Sequence, residues 1–181
     1  MNQKTSNPLQ NAKKISVVGP VASGKSTLAT QLGEILHLPV FHLDSIWNLP
    51  NGHKEHPDIL MSKIKDIMLE EKWIIDGNYR GTLKDRFETS DVIIWLNFSL
   101  EFCHDSAVER HNHGNLTGQP DYFIEPKNAP LFNIEENRKT ATQFILPLAE
   151  MHRAKVIEFT TREQMNSFMI CQEPAFQKPL R

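Results

Sequence analysis

Nine consecutive residues set the architecture of this chain, and they read Gly19-Pro20-Val21-Ala22-Ser23-Gly24-Lys25-Ser26-Thr27. They fit the phosphate-loop pattern G-x-x-x-x-G-K-[ST]. The preceding residues 15–18 are mostly apolar and predict a short buried strand. After the motif, apolar residues recur at helical spacing, at Leu28, Leu32, Ile35 and Leu36. A strand, a glycine-bounded loop and a helix form the context in which this pattern binds phosphate.

Each residue type in the motif has a chemical reason to be there. Gly19 and Gly24 allow the tight turn that directs successive backbone N–H groups inward, and the first helical turn adds the positive end of its dipole. Lys25 carries a charge suited to the β- and γ-phosphates, and the Ser26 hydroxyl can ligate Mg²⁺. We therefore predict that residues 19–27 bind the phosphates of ATP, with Mg²⁺ as the metal cofactor. A glycine-rich turn without a ligand is the alternative.

The composition is that of an ordinary globular domain. The chain has 181 residues, of which 39% are hydrophobic and 23% charged, and this predicts a single core. Its 20 Lys and Arg against 22 Asp and Glu give a net charge of −2, which offers no global attraction to nucleic acid. The 2 cysteines are too few for a disulfide framework, and no apolar run is long enough to span a membrane. We predict a cytoplasmic protein of unknown oligomeric state.

The order of elements predicts a parallel α/β sheet. Apolar runs predict strands at 15–18, 38–43, 73–75, 92–96 and 156–159. Helical spacing predicts helices from 28 to about 37, from Pro57, at 99–111, at 131–148 and at 163–170. Pro147 predicts an early end or a kink in the fourth of these helices, and residues 45–56 predict a loop. Strands that alternate with helices through the whole chain indicate a parallel sheet.

We divide the chain into three parts. Residues 1–13 are polar and predict a flexible N-terminal arm, whereas 171–181 predict a loose C-terminal tail. Residues 14–170 form a single domain in this interpretation. Within it, residues from about 111 to 130 are rich in Gly, Asn and Pro and predict a mobile lid.

A second motif, Asp76-Gly77-Asn78-Tyr79-Arg80, follows the third predicted strand. The carboxyl ends of parallel strands meet at one edge of a sheet, where ligands bind, so this motif should lie beside the phosphate loop. Asp76 can hold Mg²⁺ through water, and Arg80 can bind a phosphate or carboxylate of the substrate. The alternative is a surface turn with an Asp–Arg ion pair.

Asp44 follows the second predicted strand and should reach the same edge. There it can accept a proton from a substrate hydroxyl or orient it; the alternative is a helix-capping or turn aspartate. Phosphoryl transfer also needs cations, which Arg86, Arg110 and Arg138 could supply if they are not solvated surface residues. Our candidate catalytic residues are Lys25, Asp44, Asp76, Arg110 and Arg138. The candidate substrate-binding residues are Asp44, Arg80 and Arg86, and the candidate metal ligands are Ser26 and Asp76.

Several segments together resemble a known family. Beside the phosphate loop they are His42-Leu43-Asp44-Ser45-Ile46-Trp47, Trp73-Ile74-Ile75-Asp76-Gly77-Asn78-Tyr79-Arg80, Asp85-Arg86-Phe87 and Asp91-Val92-Ile93-Ile94-Trp95-Leu96. Over about residues 14–100 the chain is similar to the bacterial DNA topology modulation proteins, small P-loop proteins related to adenylate and shikimate kinases. The Asp-Gly-Asn-Tyr-Arg segment after a Trp-Ile-Ile strand is the distinctive part.

This resemblance implies a P-loop kinase-like three-layer sandwich with a five-stranded parallel sheet in the order 2-3-1-4-5, an ATP site and kinase-like geometry. It also implies that Asp76 and Arg80 match the Asp-Gly-x-x-Arg segment of adenylate kinases. Two departures stand out. The family usually has an arginine-rich lid where this chain has Arg110 followed by His111-Asn112-His113-Gly114-Asn115-Leu116, and the fourth strand usually ends Leu-Asp where this chain has Leu96-Asn97.

Two functions follow as hypotheses. The first is a kinase that transfers the γ-phosphoryl group of Mg-ATP to an unidentified small-molecule acceptor, with a nucleotide as one candidate and nucleic acid not expected as the direct substrate. The second is a nucleotide-binding regulatory module, associated with DNA topology or a partner protein, that has little or no turnover. The arginine-poor lid favours the second hypothesis slightly.

Overall fold

A parallel sheet lies at the centre of the protein. The computed structural model describes residues 7–48, 53–113 and 134–176, and these build five strands. The strands are β1 (Lys14–Val18), β2 (Val40–His42), β3 (Trp73–Asp76), β4 (Val92–Leu96) and β5 (Val156–Phe159). They lie in the order β2-β3-β1-β4-β5, and every neighbouring pair is parallel. The predicted sheet and its strand order are confirmed.

Helices connect the strands and cover both faces of the sheet. They are α1 (Lys25–Leu36), α2 (Leu43–Trp47), α3 (Pro57–Leu69), α4 (Arg80–Thr89), α5 (Leu100–His113), α6 (Ile134–Thr140), α7 (Leu146–Met151) and α8 (Arg162–Phe176). A π-helical turn at Ala141–Ile145 joins α6 to α7, and a 3₁₀ turn at Arg153–Lys155 leads into β5. Because the strands are parallel, their carboxyl ends meet at one edge, where the loops that carry the motifs begin.

One face of the sheet packs against α1, α5 and α8. Ile15 and Val17 of β1 share a buried cluster with Leu28 and Leu32 of α1 and with Met169 of α8. Of the apolar positions that predict α1, Leu28 and Leu32 are buried, and the other two are partly buried against the same cluster. Each such side chain contributes about 1.5–3 kcal/mol when fully removed from water.

The opposite face packs against α3, α4 and α7. Ile75 of β3 joins Ile64 of α3 in one cluster, and Ile93 of β4 joins Phe87 of α4 and Ile145 in another. Since neighbouring residues of one strand face different helical layers, the strands need continuous apolar runs. The three-layer arrangement that the resemblance implies is confirmed.

Two helices differ from the sequence prediction. The sequence predicts a strand through residue 43 and then a loop, whereas β2 ends at His42 and α2 begins at Leu43. The segment from Arg80 to Thr89 has mostly polar residues and no predicted element, yet it forms α4. Its buried face combines apolar Leu83 and Phe87 with Arg86. Because one buried position is a charged residue, the apolar residues alone do not show helical spacing.

Both predicted terminal segments contain folded residues. Leu9 is 1% exposed and joins the cluster under α1, and Asp91 Oδ2 accepts hydrogen bonds from the backbone N–H groups of Lys13 and Lys14, both at 2.9 Å. The prediction of a flexible arm is therefore wrong for residues 7–13. The helix α8 continues to Phe176, so the loose tail is wrong for residues 171–176, because Met169 and Gln172 are buried against the core.

The predicted disturbance near Pro147 has a defined form. The helix does not end; the π-helical turn at Ala141–Ile145 comes immediately before the α7 helix that contains the proline. A proline lacks the N–H of a normal helical hydrogen bond and its ring crowds the preceding turn, so a wider turn at this point relieves the conflict.

The predicted lid, from about 111 to 130, lies outside the described residues apart from the end of α5 at His113. None of the helices in the part of the chain that the structure describes is long and apolar enough to cross a membrane.

Candidate functional site

The phosphate loop contains backbone conformations that favour glycine. Gly24 has a φ of 90°, and Ala22 is also left-handed with a φ of 59°. At Gly19 an added Cβ would lie 2.6 Å from the carbonyl oxygen of Leu96, so a side chain would collide with the end of β4. Left- and right-handed residues in succession turn consecutive N–H groups toward one centre, which makes a concave site for an anion.

Lys25 lies against this loop. Its Nζ donates a hydrogen bond to the carbonyl oxygen of Pro20 at 2.7 Å, so the charge is held beside the loop. Ser26 follows in the first turn of α1 and is half-buried. The Ser23 hydroxyl is buried and has no hydrogen-bond partner among the described residues. The loop therefore holds the Lys25 cation together with a buried Ser23 hydroxyl for which the described residues supply no partner.

Two asparagines fix the loop from separate elements. Asn78 Oδ1 accepts a hydrogen bond from the Gly19 N–H at 3.2 Å, and its Nδ2 donates to the Gly19 carbonyl oxygen at 2.5 Å. From α6, Asn137 Oδ1 accepts from the Val21 N–H at 2.9 Å. The loop is therefore tied both to the turn after β3 and to α6. The sequence alone assigns no role to Asn78 and does not point to Asn137, which is 116 positions from Val21.

Asp76 is a buried carboxylate at the end of β3, with only 2% of its surface exposed. The strand register places it beside Val17 of β1 and His42 of β2, and Oδ1 lies 3.0 Å from His42 Nδ1. Its Oδ2 is buried without a hydrogen-bond partner in the described residues. Such an oxygen is suited to a metal-bound water or to a ligand donor. The sequence motif that contains His42 gives no sign of this contact, although two strands that end at one edge can bring such a pair together.

Asp44 belongs to the same charged group. Removal from bulk water raises the pKa of its carboxyl, Lys25 lowers that pKa and the Asp76 carboxylate raises it. Asp44 keeps exposed surface, so its removal from water is only partial. The hydrogen bond that His42 donates to Asp76 raises the pKa of His42, against the effect of burial.

The capping alternative for Asp44 finds no support in the geometry. His42 occupies the N-cap position of α2, Asp44 lies in the first helical turn, and no side chain caps the helix. An acidic residue in a first turn is favourable to the helix dipole, but its carboxyl is not consumed by a capping bond. The Asp44 carboxyl is therefore available to accept a proton from a substrate hydroxyl or to orient it, as the sequence predicts.

Arg80 is held by α6 and the π-helical turn that follows it. Its Nη2 donates to Glu136 Oε1 and, at 2.9 Å, to Thr140 Oγ1. The guanidinium carbon lies 4.8 Å from the centre of the Phe144 ring, a cation–π distance. The side chain keeps 34% of its surface exposed, so an anion can still approach it. The Arg80 side chain is thus held in one orientation, and its guanidinium already forms an ion pair with Glu136.

Arg86 does not lie where the sequence predicts it. Its side chain is 0% exposed, and it donates hydrogen bonds to the carbonyl oxygens of Gly77 at 2.8 Å and Ile75 at 3.1 Å. Burial lowers its pKa to about 10, and Asp76 opposes that shift. Because α4 turns this side chain into the core, Arg86 cannot contact an acceptor. It supports the backbone on either side of Asp76 instead.

The other arginines have different surroundings. Arg138 is exposed on α6, next to Asn137, so its helix reaches the phosphate loop. Arg110 lies in α5, and its side chain is outside the described part of the structure. Arg162 is not among the predicted site residues, yet its Nη2 lies 3.8 Å from the position of a Cβ added at Gly24. The Arg162 guanidinium also lies over the Phe102 ring, at 5.1 Å from its centre.

The residues present fit ATP and Mg²⁺. The loop offers a concave backbone, Lys25 and the unfilled Ser23 hydroxyl, and the candidate metal ligands Ser26 and Asp76 are the hard oxygen donors that Mg²⁺ prefers. The described residues contain no group of three or more His, Cys, Asp and Glu side chains able to hold a metal by themselves. Mg²⁺ usually takes only one or two protein ligands and completes its shell with phosphates and water.

Comparisons with known proteins bear on the fold. No family model and no curated protein sequence matches the chain. Among solved structures it is similar to the shikimate kinase from Acinetobacter baumannii in complex with shikimate, with a TM-score of 0.57, 12% identity and coverage of 96% of this chain and 98% of that one. The chain has a P-loop kinase-like fold.

Two further structures agree. A putative kinase from Chloroflexus aurantiacus has a TM-score of 0.52 at 15% identity, with 93% of this chain and 100% of that one covered. The shikimate kinase from Aquifex aeolicus has a TM-score of 0.51 at 16% identity, with 91% and 99% covered. At such identities the likeness establishes the fold and leaves the activity to the residues of the site.

Proposed function

We propose that this protein is an ATP-dependent kinase that transfers the γ-phosphoryl group of Mg-ATP to a hydroxyl of a small-molecule acceptor, with nucleotides among the candidates. The observation that carries the proposal is the electrostatic grouping of Lys25, His42, Asp44 and Asp76 at the edge of the sheet where the phosphate loop begins. Two carboxylates grouped with a lysine of the phosphate-loop motif support a site for a phosphate group and its metal ion.

The nucleotide half of the reaction would belong to residues 19–27. Their backbone N–H groups would hold the phosphates, and Lys25 would move its hydrogen bond from Pro20 to the β- and γ-phosphates. Bound Mg²⁺ would neutralise charge that develops on those phosphates. Ser26 would ligate it directly, and Asp76 would hold its water shell through the unfilled Oδ2.

The acceptor half would belong to Asp44 and Arg80. Asp44 accepts the proton of the acceptor hydroxyl as the new O–P bond forms and the bond from the γ-phosphorus to the ADP oxygen breaks. The raised pKa of Asp44 makes it a better base than an ordinary aspartate. Arg80 binds an anionic group of the acceptor and so sets its orientation. Arg110 and Arg138 would supply positive charge to the transferred phosphoryl group, as the sequence predicts.

A second candidate is the regulatory module with little turnover, in line with the resemblance to DNA topology modulation proteins. The pairing of Arg80 with Glu136 favours it, because the cation expected to hold the acceptor is already neutralised by the protein. The motif segments around Asp44 and Asp76 support a link to that family.

Two measurements separate the candidates. Mg-ATP should raise the melting temperature of the wild type and should do so far less for Lys25→Ala, because the shift follows affinity by mass action. ADP release should then be followed with Mg-ATP alone and with a panel of hydroxyl-bearing acceptors that includes shikimate and nucleoside monophosphates. Faster ADP release with one of the acceptors supports the kinase. Binding of Mg-ATP without faster ADP release by any acceptor supports the regulatory module. Equal stabilisation of the wild type and Lys25→Ala by Mg-ATP contradicts the nucleotide site itself.

A further inference from the structure

The helix α6 holds both halves of the candidate site through two consecutive residues. Glu136 accepts a hydrogen bond from Arg80 on the acceptor side, and Asn137 accepts one from the Val21 N–H of the phosphate loop. Asn137 is 7% exposed, so its contact lies inside the protein, whereas Glu136 keeps 51% of its surface exposed. One short helix therefore connects the arginine to the loop.

The surroundings of Arg80 form a built anion site with a carboxylate already in it. Phe144 lies under the guanidinium, Thr140 accepts one of its N–H groups, and Thr140 in turn donates to the Glu136 carbonyl oxygen at 2.8 Å. A guanidinium fixed in this way presents a defined fork to an anion. The Glu136 carboxylate is the protein's own ligand at that fork.

We propose that Glu136 is an internal competitor for the anionic group of the acceptor, and that its displacement is transmitted through Asn137 to the phosphate loop. The inference rests on the proposed acceptor role of Arg80. A carboxylate on the acceptor carries the same single charge as Glu136, so it gains no electrostatic advantage at Arg80. A phosphate monoester carries about −1.5 to −2 charges and three acceptor oxygens, so it displaces Glu136 more readily. Glu136 therefore selects acceptors that bear a phosphate group over those that bear a carboxylate.

The size of the effect follows from the exposure of the pair. An ion pair in contact with solvent is worth little, so removal of the competing charge should strengthen anion binding by about two- to fivefold. The chain offers a matched control in Glu135, which lies one position earlier in the first turn of α6 and is exposed. Changing it to Gln removes the same charge from the same helix without touching Arg80.

The first test measures inorganic phosphate binding by calorimetry, with saturating Mg-ADP present to fill the phosphate loop. Glu136→Gln should bind phosphate about two- to fivefold more tightly than the wild type, and Glu135→Gln should match the wild type. Acetate should gain more than phosphate, because Glu136 excludes a carboxylate from Arg80 more strongly than it excludes a phosphate. In an Arg80→Met background the two glutamate variants should be equal. Equal phosphate affinity of Glu136→Gln and Glu135→Gln, or a gain that persists without Arg80, would overturn the proposal.

The second test measures hydrogen exchange of the Val21 amide by NMR, without nucleotide. If Glu136 anchors α6, Glu136→Gln should speed this exchange at least about twofold while Glu135→Gln leaves it unchanged. Equal exchange in the two variants would overturn the coupling. A wild type that binds no Mg-ADP would instead contradict the proposed function, and the exchange comparison would still decide the role of Glu136.

Discussion

His42 Nδ1 lies 3.0 Å from Asp76 Oδ1, across neighbouring positions of β2 and β3. This contact fixes the orientation of a carboxylate that is almost completely buried and leaves its second oxygen, Oδ2, without a partner among the described residues. Because His42 occupies Oδ1, Oδ2 is the oxygen left for a ligand. The contact also raises the pKa of His42.

We expect the His42–Asp76 contact to stabilise the protein at low pH. The folded protein holds the His42 proton more tightly than the unfolded chain, because Asp76 raises the pKa of His42 above its ordinary value of 6.5. The stabilisation is therefore complete below that value and is lost as the pH rises through the higher folded pKa. Urea unfolding with a chelator present should show wild type losing stability relative to His42→Gln as the pH rises. A difference between the two proteins that stays constant with pH would contradict this.

Replacing Asn78 should weaken nucleotide binding more than the fold. Asn78→Ala removes both hydrogen bonds to Gly19, each worth about 1 kcal/mol, so the phosphate loop loses part of its preorganised shape. Mg-ADP affinity measured by calorimetry should fall about five- to thirtyfold. Asn166→Ala, on the exposed side of α8, is the matched control and should leave the affinity unchanged. Wild-type affinity in Asn78→Ala would show that the loop needs no support from this turn.

Arg86 should matter for stability. Arg86→Met leaves the carbonyl oxygens of Ile75 and Gly77 without their donors and removes a positive charge near buried Asp76. The loss in free energy of unfolding should be about 2–4 kcal/mol, measured by chemical denaturation. Lys84→Met changes the same charge on the exposed side of α4 and should cost much less. A similar small loss in both variants would mean that the buried guanidinium is dispensable.

Replacing Asp44 and Asp76 should have different effects, because Asp44 is proposed to act on the acceptor and Asp76 on the metal. Asp76→Asn should lower Mg-ATP affinity and turnover together, because Asp76 lies on the strand next to β1 and the phosphate loop. Asp44→Asn should keep ATP binding and lower kcat by about a hundredfold to ten-thousandfold, the range for a lost general base. If Asp44 only orients the acceptor, KM rises instead.

Calorimetry for ATP affinity and steady-state kinetics on the stimulating acceptor make this comparison, with Asp58→Asn on the exposed start of α3 as the control. Unchanged kcat and KM in Asp44→Asn would assign Asp44 to structure alone.

The sequence predicted the sheet because its strands are short apolar runs with both faces buried, and the loop because its pattern lies between a strand and a helix. It did not predict α4, whose buried face includes the charged residue Arg86. It also did not predict the contacts of His42 and Asn137. Those contacts depend on strand register and on the packing of α6, and they join residues 34 and 116 positions apart. Local periodicity carries no information about such pairs.

Phosphorus NMR of the reaction products tests the central claim most directly. Wild-type protein should convert Mg-ATP and the stimulating acceptor into ADP and one new phosphate-ester signal in equal amounts. Lys25→Ala should form neither, because its phosphate loop lacks the charge that holds the γ-phosphate. ADP that appears with inorganic phosphate alone, or bound Mg-ATP that no acceptor consumes, would contradict a kinase built on Lys25, Asp44 and Asp76.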